Sequence, residues 1–218
     1  MESIAEIGQA VSVIAASWAI ISGVGAWKRE FIGKRKIELA EEVLASFFEI
    51  KDVIASMRNP FSSGDEGQSR KRSENETNDE SELLDRGYIV FERYESRKEV
   101  FVRFNTIKYK FMAAFGSETE DIFTDCNRVL NSIFVSARQL ATHYWQRQGR
   151  IPMEEDEFQR HLNEMHRHEG IFWDRMDEKD QIRKTLQSIQ NRLEAVTKPC
   201  FEEPMKTYSI FTMRWFKR

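Results

Sequence analysis

The chain has 218 residues, enough for one or two domains with a sizeable core. Only ten Gly and four Pro stand among many Glu, Lys, Arg, Leu and Ala, which favours long helices over the closely spaced turns of a sheet protein. A formal net charge of −3 gives no overall pull toward nucleic acid, and Cys126 and Cys200 lack the paired spacing of a disulfide framework or a zinc site.

The chain opens MESIAEIGQAVSVIAASWAIISGVGAWKREFIGKRK, with no charged residue from Ile7 to Trp27. Glu2 and Glu6 make the leader acidic, against the basic start of a secretory signal. Twenty-one uncharged residues rise about 31 Å as a helix, close to the thickness of a hydrocarbon layer. Trp27 sits where an interfacial aromatic lies, and Lys28, Arg29, Lys34, Arg35 and Lys36 crowd one flank. The reading is a single transmembrane helix over 7–27 behind a short segment 1–6. By the positive-inside rule its N-terminus lies outside and the remainder lies in the cytoplasm, at the plasma (bacterial inner) membrane. Gly8, Ser12, Ala15, Ala19, Gly23 and Ala26 recur at intervals of four and three, a small-residue face suited to self-association of spans.

Behind the basic run, Ala40, Val43, Leu44, Phe47, Ile50, Ile54 and Met57 keep helical spacing, and Asn59-Pro60 ends that helix. Residues 28–60 form this juxtamembrane and first bundle helix, continuous with the span. Residues 61–82 are dense in Ser, Asn, Gly and charge and read as a flexible connector. The helical bundle proper is expected over 83–197. Its first helix runs from about Glu82 to Ala114, with Leu84, Tyr88, Phe91, Phe101, Phe104, Phe111 and Phe115 as its apolar side. Arginines and lysines interleave with these aromatics and read as a solvated back, not an RNA surface. Gly116 caps this helix, and Ser117 to Glu120 supplies a capping box for the next. There Ile122, Cys126, Val129, Leu130, Ile133, Ala137, Leu140 and Tyr144 make the cleanest amphipathic stripe in the chain. A more polar helix spans Glu154 to Glu169. The last runs from Arg175 to Val196 on Ile182, Leu186, Ile189 and Leu193, stopping before Pro199. The tail, 198–218, carries Tyr208, Phe211, Trp215 and Phe216 with Arg214, Lys217 and Arg218, suited to an interfacial anchor or a strap across the bundle. The fold class is therefore all-α: one transmembrane helix followed by a cytoplasmic antiparallel bundle of four to five helices.

Two constellations bear on chemistry. Glu157, His161, Glu164 and His168 share a helical face at one-turn intervals, as metal ligands do. The second His-bearing pair that a di-iron bundle needs is missing, as is the His-Glu-x-x-His of zinc hydrolases, so the face reads first as a solvated surface. The other is Arg138 with His143, and by spacing Arg160 with His166. The Arg138–His143 pair resembles that of the HEPN ribonucleases, an all-helical family. The resemblance implies that His assists attack by a 2′-hydroxyl while Arg steadies the phosphate. On a straight helix a separation of five residues puts the two side chains on different faces. No Gly-rich phosphate loop, nucleophile elbow or Cys-x-x-Cys is present, and no cofactor is expected.

The sequence thus points to a non-enzymatic membrane protein. Its helical domain would sense a signal or bind a protein partner and control association of the spans in a homo-oligomer. Small bacterial toxins and anti-phage effectors share that layout. A membrane-anchored scaffold of a larger complex and a membrane-tethered HEPN-like ribonuclease are the alternatives. The bilayer is the expected partner and nucleic acid is not.

Overall fold

A computed structural model describes the backbone of residues 2–213 and the side chains of 12, 13, 16–18, 20, 23–25, 27, 28 and 30–202. It is all-α, 79% helical, with no strand among the described residues. Helix α1 runs unbroken over Glu2–Met57, α2 over Asn78–Glu95, α3 over Lys98–Phe115 and α4 over Glu120–Gln139. A π turn, Leu140–Tyr144, carries α4 into the short α5, Trp145–Arg147; α6 covers Glu155–Phe172 and α7 Gln181–Met213. The chain divides into two compact units, one of Met1–Glu41 with Thr197–Arg218 and one of Glu42–Val196.

In the second unit the core follows heptad-like spacing. From α1, Val43, Phe47, Ile50, Ile54 and Met57 are buried, and from α7 Ile182, Leu186, Ile189 and Leu193. Phenylalanines join α1, α3 and α4: Phe104 lies 6.2 Å from Phe47 and 4.6 Å from Phe123, and Phe111 lies 5.8 Å from Phe123. Offset and edge-on rings at such distances add to the area they bury.

The C-terminus of α1 is held by two arginines. The Arg58 side chain, 1% exposed, reaches Asp180, 0% exposed, through two parallel bonds of 2.9 and 2.7 Å. Its Nε donates to the Ile171 carbonyl (2.7 Å), and Nη2, which also serves Asp180, shares its N–H groups with the carbonyls of Gly170 (2.9 Å) and Trp173 (2.9 Å), the last turn of α6 and its cap. The Arg58 carbonyl in turn accepts from Asp174 N–H at 2.7 Å. Arg93 of α2 donates to the carbonyls of Asn59 (2.7 Å) and Phe61 (2.9 Å) and, more weakly, to those of Ser56 and Met57. A cation over the last carbonyls of a helix satisfies acceptors that have no partner inside it.

Several boundaries differ from the sequence reading. Residues 61–82, expected as a flexible connector, instead carry a set of specific bonds. Arg70 joins Glu76 at 2.9 and 2.5 Å and Asp85 at 3.0 Å, while Arg93 joins Glu66 at 3.0 and 2.6 Å. Arg70 holds the Glu76 carboxyl down to about 2. Gly67, with φ +88°, donates its N–H to Glu92, and a Cβ there would run into the Asp85 carbonyl. The polar composition of the segment is thus used in ion pairs. The capping box also lies elsewhere: Thr77 and Glu80 cap α2 reciprocally, whereas Ser117–Thr119 forms a 3₁₀ turn without one. The single helix expected from Glu82 to Ala114 breaks at Ser96 and Arg97, inside Glu-Ser-Arg-Lys-Glu, where no apolar side chain repays burial. The last helix does not stop before Pro199 but continues to Met213.

Among the described residues no helix is long and apolar enough to cross a membrane. Most side chains of 7–27 lie outside the described residues, including Gly8, Ala15, Ala19 and Ala26 of the small-residue face; Ser12 and Gly23 are exposed. Of the basic flank, Lys28, Lys34 and Arg35 are exposed, Lys36 is half-buried and the Arg29 side chain lies outside. The aromatic and basic tail residues Tyr208, Phe211, Arg214, Trp215, Phe216, Lys217 and Arg218 lie outside as well.

Removing one partner of the buried pair leaves an uncompensated charge, so Asp180→Ala is expected to cost about 3–5 kcal/mol in urea unfolding followed by circular dichroism. Arg58→Met combined with Asp180→Leu, an apolar pair of similar bulk, is expected to recover most of that loss.

Candidate functional site

The candidate site forms where α4 gives way to the π turn. Gly87 of α2 packs on this turn so closely that a Cβ there would strike the Ala141 side chain and crowd the Ala137 carbonyl. One extra residue per turn keeps Leu140 and Ala141 buried against α2 while turning Tyr144 toward α6. The Tyr144 ring sits 5.4 Å from the ring of His161 and 5.3 Å from that of His168, which lie seven residues apart on α6. Trp145 then anchors the end of the turn. It is buried, donates to Glu169 at 2.9 Å, meets the Phe172 ring edge-on at 5.6 Å and takes the Arg86 guanidinium on its face at 4.7 Å.

The chemistry of the two histidines follows from their partners. His168 bridges Ser136 Oγ on Nδ1 and Arg167 on Nε2, both at 3.0 Å. A guanidinium only donates, so Nε2 accepts, Nδ1 carries the proton and Ser136 receives it. His168 is therefore no base toward Ser136, and this buried Ser–His pair is not an activated nucleophile. His161 is 6% exposed and its Nε2 has no hydrogen-bond partner. Burial disfavours the cationic form of both rings and pushes both pKa values down; nearby Arg147 and His143 add to this at His161, and Arg167 at His168. Burial likewise pushes the Cys126 thiol up to about 12, which makes it inert at neutral pH.

The residues singled out from the sequence are distributed differently from a metal or nuclease centre. His161 and His168 do share a face, but it points into the α4–α6 contact. Glu157 pairs with Arg147 at 3.0 Å and Glu164 with Arg167 at 2.7 Å. Among the described residues no group of three or more His, Cys, Asp or Glu is placed to hold a metal ion. Arg138 lines a dent of about 200 Å³ against Leu84, Gly87 and Tyr88 of α2, whereas His143 is exposed and edge-on to Tyr144 at 5.0 Å. The pair thus faces two different neighbours. Arg160 and His166 are both exposed. Tyr144, Ser136, Arg147 and Arg167 were not singled out as members of the cluster: the π turn shifts Tyr144 off the α4 periodicity, and the other three meet the histidines through polar and charge interactions that leave no periodic trace.

Comparison with protein-family models, curated proteins and solved structures finds no match to this chain. The cluster must therefore be read from its own chemistry. It carries no activated nucleophile and no assembled metal set among the described residues, and it ties α2, α4 and α6 together.

Depressed histidine pKa values mean that the unfolded chain binds more protons than the folded one below about pH 6.5, so stability falls as the pH drops through that value. Thermal unfolding between pH 7.5 and 5.5 is expected to show this slope, and His161→Phe, which keeps a ring against Tyr144, is expected to flatten it. Parallel curves for the two proteins would remove His161 from the explanation.

Proposed function

We propose that the chain is a non-enzymatic membrane protein, with the first part of α1 embedded in a lipid bilayer and the unit 42–196 acting as a helical module on its basic, cytoplasmic side. The observation that carries this reading is the exposure of large apolar side chains along α1: Val13, Trp18, Ile20, Val24, Trp27 and Phe31 are all open, Trp18 at 73% and Trp27 at 66%. Val13, Ile20, Val24, Trp27 and Phe31, separated by seven, four, three and four residues, lie along one stripe of the helix. Burying each such side chain stabilises by about 1.5–3 kcal/mol, a drive that solvent leaves unused and acyl chains would satisfy. No charge interrupts residues 7–27, and the exposed Lys28, Lys34 and Arg35 follow at once, where anionic headgroups would meet them.

In this reading the module senses the signal or binds the partner, and within it Arg58 fixes the end of α1 to the end of α6 and the start of α7. Association of copies through the small-residue face would then be the response. A scaffold role is the second reading. It is favoured by the half-buried aromatic ladder of Tyr88, Phe91, Tyr94 and Phe134, whose neighbouring rings stand 4.8–5.7 Å apart and would suit a protein partner. The ribonuclease alternative has no support from the separate placement of Arg138 and His143.

Full-length protein is expected to sediment with membranes and to resist alkaline carbonate extraction. Ile20→Arg with Val24→Arg, each costing about 2.5–3.5 kcal/mol near the centre of a span, is expected to move it to the soluble fraction. Full-length protein that stays in the supernatant after ultracentrifugation, with no detergent or lipid present, would overturn the membrane reading.

A further inference from the structure

A groove of about 700 Å³ runs between α4 and α7. Seven of its nine lining residues are polar or charged, Val129 and Ile182 are apolar, and none is aromatic, although apolar atoms make up slightly more of the exposed lining than polar ones. Three cations, Arg128, Lys184 and Arg192, face one carboxylate, Asp125, so two positive charges are left unbalanced. Asp125 organises two of them. Its Oδ1 accepts from Arg128 Nη1 at 2.7 Å and its Oδ2 accepts from Arg192 Nη2 across the groove. Each guanidinium spends one donor on this bridge and keeps the others, in a planar fork that suits phosphate. Lys184 is exposed and has no carboxylate partner among the described residues.

The hydroxyls narrow the ligand further. Ser132 donates to the Val129 carbonyl at 2.7 Å and Thr185 to the Gln181 carbonyl at 2.9 Å, which leaves their lone pairs to accept from a ligand hydroxyl. Cations that bind phosphate, acceptors that bind hydroxyl and the absence of a ring on which a base would stack fit one class of compound. We infer that the α4–α7 groove binds a small soluble phosphorylated sugar, with Arg128, Arg192 and Lys184 on the phosphate and Ser132 and Thr185 on sugar hydroxyls. The groove is shallow and open to solvent, so a ligand there is held by ion pairs and hydrogen bonds and not by enclosure. This inference does not rest on the membrane reading, because the groove lies wholly within the unit 42–196.

Isothermal titration of the full-length chain in detergent, with ribose 5-phosphate as the probe, tests it. Saturable binding is expected. It should weaken with added salt, weaken at least tenfold in Lys184→Glu and in Arg192→Glu, and stay unchanged in Lys110→Glu, the same charge change on α3. Ribose and inorganic phosphate should each bind more weakly than ribose 5-phosphate, and AMP about as well. Absence of saturable heat, equal affinity in wild type and Lys184→Glu, or equal affinity for ribose would overturn the inference. Binding confined to anionic vesicles or to nucleic acid would overturn it too, in favour of a lipid headgroup or a polymer.

Discussion

The buried pair of Arg58 and Asp180 is the constraint on which the rest of the second unit depends. Two charges taken almost wholly out of water are tolerated only when every donor and lone pair finds a partner. Here Arg58 serves one carboxylate and three carbonyls, while Asp180 also accepts the N–H groups of Arg183 at 2.9 Å and Arg175 at 3.2 Å. Burial alone would raise the Asp180 pKa, but the bonds from Arg58 and those two backbone groups outweigh it and hold the carboxyl below its usual range. The pair sits where α1 ends, α6 ends and α7 begins, so one side chain fixes three helix termini together. Asp174 closes the knot, pairing with Arg183 at 2.9 Å and donating its N–H to the Arg58 carbonyl.

The same logic recurs in the other joints of the unit. Arg93 covers the carbonyls past α1, Arg70 ties the following loop to α2, and Arg86 lies on the Trp145 ring at the end of the π turn. Phenylalanine supplies much of the area buried between α1, α3 and α4, and Arg58 and Arg93 fix where α1 and α6 stop. The π turn belongs to this scheme. It lets α2 approach through Gly87 and delivers Tyr144 to the rings of His161 and His168.

Much of this was legible in the sequence wherever periodicity carried it. The α4 stripe from Ile122 to Leu140, the Val43 to Met57 stripe of α1 apart from the half-buried Leu44, and the α7 stripe through Leu193 bury as spaced, and α1 ends just before Asn59-Pro60. The joints were not legible, because a polar contact such as Arg58 to Asp180 spans 122 positions and leaves no local pattern. Composition misled at 61–82, where charge density normally marks a mobile segment but here supplies ion pairs to α2. Spacing alone was ambiguous at His161 and His168: it gave the shared face correctly and could not tell core from solvent. The capping box expected at Ser117–Glu120 does not form, while the Thr-x-x-Glu of Thr77–Glu80, passed over in the sequence, caps α2.

Hydrogen exchange read by mass spectrometry on the full-length chain in detergent, with and without Asp180→Asn, examines the Arg58 joint most directly. If that joint holds the three termini as one cooperative unit, peptides covering 43–58 and 170–183 will exchange slowly in the wild type and lose protection together, by the same free energy, in the variant. Retention of wild-type protection in 43–58 while 170–183 opens would mean that α1 is secured by its apolar stripe alone, and the keystone role of Arg58 would fall.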